Sequence, residues 1–188
     1  MRRTLTICLA LFIVMGTISA KEWNSTSSAG EDQLYIEILV SSLDHNELRL
    51  TLDGFYTESI VIEDESHIIV THSDAPAFLT KGLPELPRVN RSLIIPNTGT
   101  VEATVTSVEY MKFQLGPVAP SKGNLLRTQN PENIPFTFDE FYQTDEWFPV
   151  KNVTVSDPFI FRGIRGVNVQ FQPFQYNPKT QILRVVTE

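Results

Sequence analysis

The chain has 188 residues, 15 Lys and Arg against 22 Asp and Glu, a formal charge of −7 and one cysteine. That acidic balance argues against nucleic acid as a partner, because phosphate binding needs clustered positive charge. A single cysteine allows no disulfide within the chain, so stability has to come from packed apolar surface.

Residues 1–20 have the layout of a secretory signal peptide: basic Arg2 and Arg3, an apolar run from Leu5 to Met15, and a small-residue exit at Thr17-Ile18-Ser19-Ala20. The apolar run is shorter than the roughly 20 residues a membrane span requires. Cleavage is expected after Ala20, which makes the protein periplasmic or extracellular and limits its membrane contact to export. Cys8 leaves with the signal, so the mature chain has no thiol nucleophile. Residues 21–33, polar and without period, are expected to form a disordered leader. Asn24, Asn90 and Asn152 open N-x-S/T sequons, a number close to chance in a polar sequence.

From Leu34 the apolar period becomes two. Leu34, Ile36 and Ile38 alternate in a first strand and Leu48, Leu50 and Leu52 in a second. Ile60-Ile62 and Ile68-Ile69-Val70 follow, with turns at Asp44-His45-Asn46, Asp53-Gly54 and Asp64-Glu65-Ser66. This pattern predicts an antiparallel meander. His67 and His72 fall on opposite faces of a strand and make a poor metal pair. The acidic run Glu63-Asp64-Glu65 lacks the glycine-punctuated spacing of a calcium loop, so no metal and no cofactor are expected.

The stretch Gly82 to Pro96, GLPELPRVNRSLIIP, carries prolines at 84, 87 and 96. They predict an extended, unpaired crossing from Gly82 to Arg88, then a strand over Ser92 to Ile95 that Pro96 closes. Thr100 to Glu109 is the longest alternating run and is expected to be a strand that continues through Leu115. Pro117 to Pro135 holds four prolines and no period, which marks a functional or disordered loop. Phe136 to Val150 concentrates aromatic residues, read as a plug over one end of the core. Val153 to Phe171 alternates again, and Tyr176-Asn177-Pro178-Lys179-Thr180 turns the chain into a last strand at Ile182 to Val186. Short strands and frequent turns over residues 34–188 predict an all-β fold, an antiparallel β-sandwich of which the jelly roll is one form.

Nothing in this pattern assembles an active site, so the chain itself is not expected to be an enzyme. Two motifs nonetheless resemble a known family. Gly82-Leu83-Pro84-Glu85-Leu86-Pro87 with Ile94-Ile95-Pro96, and downstream Arg162-Gly163-Ile164-Arg165 followed by Pro173-Phe174-Gln175-Tyr176-Asn177-Pro178, are similar to the prodomain of gingipain-type cysteine peptidases. Gly82, Pro84, Pro87, Pro96, Arg162, Gly163, Pro173, Tyr176, Asn177 and Pro178 are then structural motif residues. The resemblance implies a domain that covers the cleft of a caspase-like cysteine peptidase, its partner in cis or in trans, and assists its folding. It further suggests a basic side chain from the 117–135 loop in the peptidase's specificity pocket. Arg127 is the first candidate because a guanidinium can pair bidentately with a carboxylate, and Lys122 is the second. A different reading stays open: a free-standing secreted module that binds carbohydrate or a cell-surface partner on Tyr142, Trp147 and Phe148.

Overall fold

The computed structural model describes residues 20–27 and 33–188. The expected signal peptide up to Ser19 lies outside the described residues, as do residues 28–32 of the expected leader. Among the described residues the regular structure is twelve short strands and two 3₁₀ turns. Every strand pairing is antiparallel, which bears out the all-β expectation.

Strand β1 (Glu22–Ser25) pairs with β4 (Gly54–Ile62), which pairs with β5 (Glu65–Thr71). β2 (Leu34–Ser41) and β3 (Asn46–Leu52) form a separate hairpin. The four strands expected as one meander are therefore two hairpins, and β4 takes its other neighbour from the leader. Trp23 explains why the leader is ordered at residues 22–25. Its indole packs 4.9 Å from the Tyr56 ring and lies over Gly54, where a Cβ would come within 2.4 Å of it. A short polar sequence does not advertise one anchoring side chain. The β4–β5 turn falls at Glu63 and Asp64, both at positive φ (50° and 68°), the twist that a two-residue hairpin needs.

β6 (Val89–Ile94) pairs with β10 (Ile164–Phe171), whose far edge carries β8 (Val153–Val155) and β9 (Phe159–Phe161). β12 (Ile182–Val186) lies between β11 (Phe174–Asn177) and β7 (Tyr110–Gln114). The four sheets share one core, in which Phe55 contacts Phe113 and Phe174 edge-on and is joined by Leu52, Tyr176, Leu183, Val118 and Val185. Each such ring or branched side chain contributes about 1.5–3 kcal/mol on burial.

Thr100 to Glu109 corrects the expectation of a long strand. Only Glu109 joins a ladder: its N–H donates to Glu188 O at 2.8 Å and its carbonyl accepts from Thr187 N–H at 2.9 Å. The alternating positions offer Val101, Ala103, Val105 and Ser107, too little apolar surface to hold a face against the body, and Val105 stays 48% exposed. Regular pairing starts where β7 meets β12, Tyr110 opposite Val186.

Candidate functional site

The Gly82–Arg88 segment is extended, as its prolines require, but it is not unpaired. Glu85 N–H donates to Ala119 O at 3.1 Å and Ser121 N–H to Leu83 O at 2.8 Å, so Pro84 sits opposite Pro120. On the other side Phe78 N–H donates to Leu86 O at 2.8 Å and Arg88 N–H to Pro76 O at 3.0 Å, which sets Pro87 opposite Ala77. In an antiparallel pair every second position exchanges no hydrogen bond, and a residue there needs no amide. The prolines occupy those positions, which is how a donor-poor segment joins a ladder.

A parallel bridge between Ile68 and Val118 buries the start of the long loop. Ile68 N–H donates to Pro117 O and Ala119 N–H donates to Ile68 O, both at 2.8 Å, so residues 117–121 are clasped between β5 and the Gly82–Glu85 strap. Val118, Ala119, Pro120 and Ser121 are buried. The expectation of one loose loop over Pro117–Pro135 is thus corrected for its first five residues. Gly82, at φ +86°, lets the strap turn so that its N–H reaches Ser121 O at 2.9 Å while its carbonyl accepts from Asp139 N–H at 3.1 Å.

Asp139 then caps the 3₁₀ turn Glu140–Gln143, its carboxylate accepting from Phe141 N–H at 2.9 Å. This turn carries the expected plug. Tyr142 lies against Phe138 and donates its hydroxyl to Val118 O at 3.0 Å, and Phe141 and Phe78 both pack on Phe148. Burial, then the neighbouring Tyr176 and Glu85, pushes the Tyr142 phenol well above its ordinary range, so it stays a donor. Burial likewise raises the Glu85 carboxyl, partly offset by its hydrogen bond with Ser121 and by Lys122. Glu85, Ser121 and Val118 form an anchor that sequence reasoning missed. Its visible trace is the buried Val-Ala pair between two prolines three apart.

Beyond Ser121 the chain leaves the body. Lys122 donates to Pro131 O at 2.8 Å and its ammonium lies 4.2 Å from the Phe136 ring centroid, so it ties the two ends of the loop together. Arg127 is at the opposite extreme. It follows Leu126 in the turn closed by Gln129 N–H to Leu126 O at 2.9 Å, it is exposed, and among the described residues it forms no ion pair. The two candidates are therefore different in kind: Lys122 is a clasp and Arg127 is a free tip.

The motif residues have structural places. Pro96 O accepts from Arg165 at 2.7 Å, and Arg162 and Gly163, at φ 50° and 80°, make the β9–β10 turn. Pro173 O accepts from Val186 N–H at 2.8 Å, and Tyr176 exchanges main-chain bonds with Phe148. Asn177 binds Asp145 at 3.0 Å, accepts from Thr180 N–H at 3.0 Å and precedes the buried Pro178. The rings offered for a carbohydrate platform are already engaged: Tyr142 and Phe148 in the plug, Trp147 beneath Arg184 at 3.9 Å. His67 and His72 are buried, bonded to Glu65 O and to Asp74 N–H respectively.

Residues 24–188 match the family model Propeptide_C25. The chain belongs to the Propeptide_C25 family. Within it, the chain is 39% identical over 120 residues to Gingipain R2 of Porphyromonas gingivalis, a match covering 64% of this chain and 16% of that protein. It is 37% identical to Gingipain R1 over the same length, 12% of that protein. It spans only a small part of these relatives. A solved complex of the Porphyromonas gingivalis RgpB pro- and mature domains superimposes with a TM-score of 0.77 at 32% identity, covering 81% of this chain and 80% of the other. A solved structure of gingipain K from Porphyromonas gingivalis, bearing on its zymogenic latency, shares the fold, with a TM-score of 0.74 at 17% identity, over 89% of this chain and 94% of that one. A Propeptide_C25 domain is a propeptide and not the catalytic region of its precursor.

Proposed function

We infer that this chain is the exported prodomain of a gingipain-like cysteine endopeptidase, that it covers the catalytic cleft until processing, and that it assists the peptidase's folding. The relatives support a cysteine peptidase domain as the partner, in cis or in trans. In this reading residues 1–20 direct export and are removed, and residues 34–188 together with the leader strand β1 form the inhibitory domain. One observation carries the residue assignment: Arg127 stands exposed, and without an ion pair among the described residues, at the tip of a loop whose base is locked into the core. A fixed base holds the tip in place before binding, which lowers the ordering entropy lost on docking. The guanidinium enters the specificity pocket and pairs with a carboxylate, while Lys122 keeps the loop closed behind it.

The test is inhibition of the mature domain of Porphyromonas gingivalis RgpB by the mature chain and by its Arg127→Ala and Lys122→Ala variants. Truncating one partner of a buried charge pair costs about 2–5 kcal/mol, so Arg127→Ala should raise the inhibition constant by about 30-fold or more. Lys122→Ala should raise it less. Equal inhibition by Arg127→Ala and the unsubstituted chain removes the residue assignment, and no inhibition by the unsubstituted chain removes the prodomain reading.

A further inference from the structure

The inference rests on the prodomain reading and concerns where else the peptidase is held. Strand register divides the β6–β10–β9 sheet into two faces. Val167, Val169 and Leu93 point into the core, so Phe159, Phe161, Ile164 and Ile94 share the outward face with Gly166 between them. The Phe159 ring lies over Gly166, where an added Cβ would be 3.2 Å from it. These four side chains are 37%, 63%, 51% and 60% exposed. Further along, the same face continues through Ser92, which donates to Asn168 Oδ1 at 2.6 Å.

This face is apolar at one end, neutral and hydrogen-bonding at the other, and its strand positions carry neither Asp, Glu, Lys nor Arg. Arg162, stacked 5.2 Å from the Phe161 ring centroid, stands at its rim. In a chain with 37 charged side chains in total, 15 basic and 22 acidic, an uncharged outer face is a departure from the rest of the surface. Aromatic residues with an arginine at the edge and no charge at the centre are the composition of a protein interface.

The occupant follows from charge and from size. An anionic bilayer surface is repelled by the net −7, and this face has no lysine to offset it. A second copy on the same patch brings that net charge again and sets Arg162 against Arg162 across a two-fold axis. The remaining partner is the domain that makes up most of the relatives' length, since the matched region is only 16% of Gingipain R2. A stable complex buries roughly 800 Å² per partner, which favours a second contact beside the Arg127 loop. β6 supplies the link, because it leaves the strap that anchors the loop and reaches the patch after six residues, about 20 Å of strand.

We propose that the outward face of the β9–β10 hairpin and the end of β6, centred on Phe159, Phe161, Ile164 and Ile94, is a second docking surface for the peptidase domain, distinct from the Arg127 loop. Two linked contacts then act as one bivalent inhibitor, each raising the effective concentration of the other. The test uses the mature chain and the RgpB mature domain. The double variant Phe161→Thr with Ile164→Thr keeps strand propensity and changes only exposed side chains. It should weaken inhibition at least tenfold, whereas Val61→Thr, an exposed position on β4, should leave it unchanged. Hydrogen exchange on the unsubstituted complex gives an independent reading, with new protection expected over residues 159–166. Unchanged inhibition by the double variant, or unprotected amides at 159–166 in a formed complex, overturns the second surface while the Arg127 assignment stands. Failure of the unsubstituted chain to inhibit removes the prodomain reading and this surface with it.

Discussion

Pro117 to Ser121 and Lys122 to Pro135 are consecutive and each contains two prolines, yet the first is buried between β5 and the Gly82–Glu85 strap and the second stands largely in solvent. The difference lies in what faces each proline. Pro120 meets Pro84 at a position where neither strand needs an amide, and Val118 fills the core beside it. Pro131 and Pro135 meet no such partner. Instead Pro131 starts a 3₁₀ turn capped by Asn130, and its carbonyl takes the Lys122 ammonium. Proline content therefore does not separate core from loop. The register of the neighbouring chain does, and here it divides an anchor from a tip.

Substitutions on the two sides of that boundary should separate by size of effect. The largest belongs to the anchor: Val118→Asp buries a carboxylate with no partner and should lower stability by about 4 kcal/mol or more in urea denaturation. A loss under about 1 kcal/mol would mean that residues 117–121 are not part of the core. At the boundary, Lys122→Met keeps the aliphatic stem but removes the hydrogen bond to Pro131 O and the contact with Phe136, an expected loss of about 1 kcal/mol. Faster amide exchange at residues 131–136 would accompany it, and unchanged exchange would show that the loop is closed by something else.

A smaller effect is expected in pH dependence. Burial raises the folded pKa of Glu85 above 4.5, so the folded state holds a proton that the unfolded state has already lost. Stability should then fall as pH rises through the interval just above 4.5, and Glu85→Gln should flatten that slope. Asp145 acts in a different window, because the Asn177 amide lowers its pKa below 3.8 and its contribution is lost only as pH falls further. A Glu85→Gln profile that keeps the wild-type slope above pH 4.5 would assign the proton elsewhere. At the tip, Arg127→Ala should leave stability within about 0.5 kcal/mol while it weakens inhibition. A large stability loss there would make Arg127 part of the fold and not of the site.

Local chemistry made much of the fold legible. Alternation located β2 to β5, β8 to β10 and β12, turn residues located the hairpins, and the proline and Tyr-Asn-Pro motifs carried the resemblance that the family match bears out. All of these depend on a residue and its near neighbours. The Thr100–Glu109 run shows the limit, because alternation states which side chains share a face and not whether another strand lies alongside. The same limit hid β1, which depends on one indole over Gly54, and the strap, whose Pro84 pairs with the distant Pro120 and whose Pro87 pairs with Ala77.

By itself the sequence determined the class of the protein: an acidic, all-β chain with a single cysteine, whose motifs belong to a propeptide family. Those properties follow from composition, period and short motifs, which are set along the chain. Only the tertiary structure decided that Lys122 is a clasp and Arg127 a tip, that Pro117–Ser121 is core, and that Phe159 and Phe161 face outward. Each of these depends on which distant segment supplies the hydrogen bond or the apolar neighbour, and that assignment exists only once the sheets have closed around one core.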